Sequence, residues 1–85
     1  MATTIQAITI TTTAQSIVGI DNVEQYVTLH SEGSTYIGAS NVTSDNGIHV
    51  QNGETLQLTI SEGCDLWAIA ASGTNTLRVL KVRVE

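Results

Sequence analysis

Proline and phenylalanine are absent from this 85-residue chain, and cysteine and tryptophan occur once each. A lone Cys64 cannot form an internal disulfide, and no Cys/His cluster has the spacing of a zinc site. Neither crosslink nor structural metal is therefore expected to staple the fold. Only three residues are basic: Arg78, Lys81 and Arg83, all within the last eight positions. The acids, Glu85 apart, lie between Asp21 and Asp65, and the formal net charge is −5. Phosphate contacts need several cations clustered on one face, so the balance argues against a nucleic-acid partner. No run of about 18 apolar residues occurs, which gives no membrane span. The N-terminus has neither the basic start nor the apolar core of a signal peptide. Synthesis in the cytoplasm, with exit only by lysis, is the expectation. Charged residues make up 13% of the chain, against roughly 25% in ordinary soluble domains. The surface must therefore be rich in hydroxyl and amide groups, which suits a rigid shell or a contact surface.

What is present is β chemistry. Thr, Ile, Val and Leu dominate, with thirteen threonines, and β-branched side chains suit a pleated surface. Short alternating runs are separated by Gly, Asn, Ser and Asp at intervals of roughly ten residues, the pattern of an antiparallel sandwich or barrel. The clearest run is 54–61, where Leu56, Leu58 and Ile60 share one face and Thr55, Gln57 and Thr59 the other. Asn52-Gly53 precedes it and Glu62-Gly63 follows it, both turn pairs because Gly and Asn reach positive φ at little cost. Residues 65–71 give the next strand, 72–75 a tight turn and 76–84 the closing strand. Upstream, residues 23–30 put Val27 and Leu29 on one face and Tyr26, Thr28 and His30 on the other. Residues 31–34 turn the chain into 35–37, a loop covers 38–47, and 48–50 lead to the Asn52-Gly53 turn. The fold class expected is all-β, a small antiparallel β-sandwich or jelly-roll-like barrel of about seven strands.

The chain is long enough for one domain. Residues 14–85 form it, and the Thr-rich residues 1–13 form either a first strand or an arm extended over a neighbour. A domain this small buries only about 60–65% of its unfolded surface, so assembly with copies of itself or with a larger surface is expected to add stability. In the closing strand, Leu77 and Val79 lie on one parity and Leu80, Val82 and Val84 on the other. That demands either a bulge near Val79-Leu80 or cover on both faces. The strand before it has Leu66 on one parity and Trp67 and Ile69 on the other. Two adjacent strands with two apolar faces favour an oligomer contact. The terminal cations have two readings, a basic tail docked on the acidic body of another copy or solvated charges guarding a sheet edge.

Nothing in the motifs asks for catalysis. His30 and His49 have only scattered Asp and Glu for company and read as structural or surface residues. Cys64 has no cationic neighbour to lower its pKa and reads as a small buried hydrophobe. Only a pocket joining it to His30 or His49 would revive a nucleophile. Asp45-Asn46-Gly47 and Asp21-Asn22 lack the acidic spacing of a calcium loop and read as turns. Asn41-Val42-Thr43 fits a glycosylation sequon, a chance match without a signal peptide. Trp67 reads as a core or interface anchor ahead of a sugar-stacking ring. No catalytic residue, metal or cofactor is expected.

A set of short motifs goes further: Y-I-G-A-S-N-V-T at 36–43, N-G-I at 46–48, G-E-T-L-Q-L at 53–58, D-L-W-A-I-A-A-S-G-T at 65–74 and T-L-R-V-L at 76–80. In this order the chain resembles a small β-sandwich module of virion structural proteins of tailed bacteriophages, over roughly residues 23–82. The resemblance implies a non-enzymatic capsid decoration (cement) protein on the outside of the head. It also implies the major capsid protein as partner and a homo-oligomer, trimer ahead of dimer. Trp67 stands where the module has an aromatic, and the terminal K-V-R-V-E departs from its end near Leu80, an extension suited to adding a strand to a neighbour. The expected contact residues are Ile8, Ile10, Trp67, Leu80, Val82, Arg83 and Val84. The alternative is a receptor- or carbohydrate-binding module of a head fibre or tail, with Trp67 and Tyr36 as stacking platforms.

Overall fold

The computed structural model describes residues 2–84; Met1, first of the Thr-rich segment, and Glu85, last of the terminal extension, lie outside the described residues. Eight strands follow one another: β1 (Ala2–Ile10), β2 (Gln15–Val18), β3 (Gln25–Glu32), β4 (Thr35–Gly38), β5 (Ile48–Val50), β6 (Thr55–Ile60), β7 (Leu66–Ala70) and β8 (Asn75–Arg83). They form two four-stranded sheets, ordered β1-β8-β3-β6 and β2-β7-β4-β5. Every pairing is antiparallel. The pairs β1·β8, β2·β7, β3·β6 and β4·β5 are one long ladder folded back on itself and rolled into two layers. This is the arrangement of a jelly roll. The expected all-β sandwich is therefore the observed fold, with eight strands in place of about seven. The additional strand is β1, which pairs with β8 along its whole length.

Alternation places the core. In β3 the odd positions Gln25, Val27, Leu29 and Ser31 are buried, and in β8 Leu77 and Val79 continue the same layer. From the other sheet come Ile37, Val50, Leu66, Ala68 and Ala70. In β2 the register shifts between Ser16 and Val18, and this bulge lets the consecutive Ile17 and Val18 both turn inward. The core is wholly aliphatic. Tyr26, Tyr36 and Trp67 all stand outside it, which overturns the core half of the reading of Trp67 as a core or interface anchor.

Polar burial is confined to the strand ends. At the β3–β4 turn Ser31 Oγ lies 3.0 Å from Thr35 Oγ1, and Asn75 Nδ2 donates to Ser34 O at 2.5 Å. Gly33 (φ +153°) is required there, since a Cβ would fall 2.2 Å from Asn75 Oδ1. At the opposite end Gln25 Nε2 donates to Gly19 O.

Several expectations are overturned. The register of β8 runs unbroken against both neighbours, so the proposed bulge near Val79-Leu80 does not exist. Its inward parity passes from Leu77 and Val79 to Lys81 and Arg83, while Leu80 and Val82 face outward. Strands β7 and β8 are adjacent in sequence but lie in different sheets, so their outward apolar residues sit on opposite sides of the molecule. Strand β8 is an interior strand, not an edge for its cations to guard. Residues 81–83 of the extension pair within the chain, and Val84 N donates to Glu24 O. Ile10 is fully buried in the core and Ile8 packs against it, which removes Ile10 from any contact surface. Cys64 is exposed, in the turn between β6 and β7.

Candidate functional site

Because opposed residues in an antiparallel pair share a face, the registers define the outer face of the β1-β8-β3-β6 sheet row by row. One row runs Thr3, Val82, Tyr26, Thr59, the next Ile5, Leu80, Thr28, Gln57, and the third Ala7, Arg78, His30, Thr55. Ile5, Leu80, Val82 and Tyr26 thus adjoin across three strands. Ile5 is 72% exposed and Tyr26 46%, while Leu80 and Val82 are half-buried. The surroundings are mainly hydroxyls and amides; charge enters beside the third row, where Arg78 Nη2 bonds Glu32 Oε2 at 3.1 Å, and at the opposite end with the exposed Glu24 beside Val84. His30 Nδ1 lies 3.2 Å from Thr55 Oγ1. Two shallow depressions mark the face. One of about 220 Å³ is bordered by Ile5, Thr28, His30, Arg78 and Leu80, the other of about 310 Å³ by Tyr26, Thr28, Gln57 and Thr59.

The outer face of the second sheet carries the other aromatics. Trp67 lies opposite Gly38, and Ile69, Tyr36 and His49 form the next row. Tyr36 and His49 stack with ring centroids 4.7 Å apart, and His49 Nε2 is 2.7 Å from Ser34 Oγ. The indole of Trp67 donates to Asp65 Oδ2 at 2.9 Å. Both Tyr36 and Trp67 are half-buried. Loop 39–47 folds over this face through Val42, which is buried but outside the main core. Gly38 and Gly47 make room for it, since a Cβ on either would come within about 3.0 Å of Val42 Cγ2. Asn46 ties the loop, its Oδ1 accepting from Thr43 N and its Nδ2 donating to Asn41 O, the turn chemistry expected of Asp45-Asn46-Gly47.

Asp21 and Arg83 form the ion pair at the end of the sandwich, Nε to Oδ2 at 2.6 Å and Nη2 to Oδ1 at 3.1 Å. The guanidinium holds the Asp21 carboxyl below its usual 3.8, against a smaller opposing effect of desolvation. The basic tail therefore meets acids of its own chain at two places, Asp21 and Glu32.

Of the expected contact residues, Leu80 and Val82 share the outer face of the first sheet and Val84 continues their parity. Arg83 lies on the inner parity, and Trp67 is on the far side of the molecule. Ile5 and Tyr26 were missed. Their outward parity is legible in sequence, but only the register reveals that they adjoin Leu80 and Val82. His30 and His49 stand on opposite outer faces and Cys64 in a turn, so these three groups are not brought together. Among the described residues no three His, Cys, Asp or Glu side chains form a metal-ligating group. Comparison with known proteins found no family model, no curated protein and no solved structure that matches the chain.

Proposed function

We propose that the chain is a non-enzymatic virion structural protein, a capsid decoration (cement) protein of a tailed bacteriophage. It attaches to the major capsid protein on the exterior of the head through the outer face of its β1-β8-β3-β6 sheet. The observation that carries the reading is the contiguous apolar patch of Ile5, Leu80, Val82 and Tyr26 on a face whose other residues are mainly Thr and Gln, with Ala7, His30 and the Arg78–Glu32 pair at one end. Support of a weaker kind comes from the motif resemblance and from the fold, since jelly rolls serve viral capsids and lectins alike; that part is analogy.

The energetics favour a lattice partner. Full burial of one large apolar side chain contributes about 1.5–3 kcal/mol, so four that are already partly covered add on the order of 3–5 kcal/mol. Association costs about 4–15 kcal/mol in lost freedom and ordering. A lone contact of this size is weak. Copies held together on a shell convert later contacts into intramolecular ones and become durable.

The test is cosedimentation of the purified chain with shells of the major capsid protein of the encoding phage. Saturable binding at a fixed ratio to capsid subunits is the expected result, and a chain left wholly in the supernatant contradicts it. The second reading, a carbohydrate- or receptor-binding module, draws on the placement of Trp67 and Tyr36 on an outer face instead of in the core. Binding on a glycan array that is lost in Trp67→Ala, together with no binding to shells, would favour it.

A further inference from the structure

We propose that β1 is a dimerisation edge: two copies of this chain pair antiparallel along β1, centred on Ile5, and join their four-stranded sheets into one. The inference goes beyond shell attachment and stands on strand geometry and the placement of charge.

Every sheet edge presents a row of unpaired N–H and C=O groups, and proteins blunt such edges with short strands, bulges, proline or charge. The four edges here differ in this respect. Strand β5 has three residues, and β2 has four with a bulge. Strand β6 has six but is bracketed by Glu54 and Glu62, so its self-pairing about Leu58 sets Glu54 against Glu62 of the second copy. Strand β1 has nine residues, an unbroken register, no proline and no ionisable side chain. The first charged side chain in the sequence is Asp21. On a molecule of net charge −5, β1 is the one long edge that two copies can approach without opposing like charges.

Within β1 the stretch 3–7 is exposed throughout, and its midpoint is Ile5. An antiparallel register about that midpoint keeps inner residues with inner and outer with outer. It sets Ile5 against Ile5 of the second copy, Thr3 against Ala7 and Thr4 against Gln6. The row Thr28, Leu80, Ile5 then continues into Ile5, Leu80, Thr28 of the second copy, and the most exposed large apolar side chain among the described residues gains a partner. Such an interface is isologous and closes at two copies. A trimer would require the different, head-to-tail pairing of β1 with β6.

The test is mass by light scattering at micromolar concentration for the wild type, Ile5→Lys, Ile5→Glu and an equimolar mixture of the two variants. Ile5 is 72% exposed, so neither substitution is expected to unfold the chain, and unchanged urea midpoints check this. The expected result is a wild type of twice the 9.0 kDa chain mass, single-chain masses for each variant, and the doubled mass restored on mixing. A wild type of one or three chains, a doubled mass that survives both substitutions, or variants that stay single on mixing would overturn it. No shell is present in this experiment, so its failure leaves attachment to the capsid to be judged by cosedimentation.

Discussion

Asp21 shows how one side chain couples the chain terminus to the body of the fold. Arg83, the last residue of β8, bonds both carboxylate oxygens and lowers the Asp21 pKa from 3.8. A carboxyl whose folded pKa is depressed stabilises the native state above its unfolded pKa, and this contribution is lost as pH falls through the folded value. Asp21→Asn is therefore expected to lower the urea midpoint at neutral pH, with the deficit shrinking as pH falls below the ordinary carboxylate value of 3.8. A deficit that stays constant with pH would contradict the ion-pair account. Leu29 tests the core. It is fully buried between Leu56 and Val79 in register, and Leu29→Ala is expected to cost about 2–5 kcal/mol. A domain of this length has roughly 4–13 kcal/mol in total, so urea denaturation should show a large fraction lost. Ile48→Ala, at a 59% exposed site, should change stability by less than about 0.5 kcal/mol. For Cys64, position overrides the burial preference of the residue type. Gly63 (φ +78°) and the Cys64 N to Ser61 O bond make a turn there, and turn geometry leaves the thiol in solvent.

At the scale of elements the strands were legible and their neighbours were not. Period-two alternation marks β3 and β6; Asn52-Gly53 and Glu62-Gly63 bracket β6, and Gly73 turns β7 into β8, because positive φ suits glycine. Parity tells which residues of one strand share a face. It does not tell which sheet the strand joins, so parity alone neither separates β7 from β8 nor marks β8 as an interior strand. The packing of loop 39–47 was equally hidden, since Val42 is covered only because Gly38 and Gly47, nine residues apart in sequence, meet in space. Val42→Ala removes two buried methyl-sized groups and is expected to cost about 2 kcal/mol, from roughly 0.8 per group and a small cavity term. Thermal unfolding would read this as a fall in Tm of about 8–16 °C for a domain of this size, whereas an unchanged Tm would mean that the loop does not use Val42 as its anchor. The β3–β4 turn makes a matching case. Gly33→Ala pushes a methyl onto Asn75 and displaces its bond to Ser34 O, with an expected cost of about 1–3 kcal/mol.

Seen whole, the described residues form an aliphatic core, hydroxyl-rich exteriors and, on the first sheet, an apolar patch shared by β1, β8 and β3. Its two described ion pairs lie within the chain, so attachment is expected to depend little on salt. Raising ionic strength from about 0.1 to 1 M shortens the screening length from about 10 to 3 Å, yet the bound fraction on capsid shells should stay nearly constant. A steep loss would point instead to charge-led docking. The central claim is that the patch on the first sheet is the contact surface. Cosedimentation with capsid shells, comparing Leu80→Glu with Trp67→Ala, tests it most directly because the two residues lie on opposite outer faces. The account predicts that Leu80→Glu abolishes binding while Trp67→Ala binds as the wild type does. Retained binding by Leu80→Glu, with loss in Trp67→Ala, would contradict it and move the contact to the other side of the sandwich.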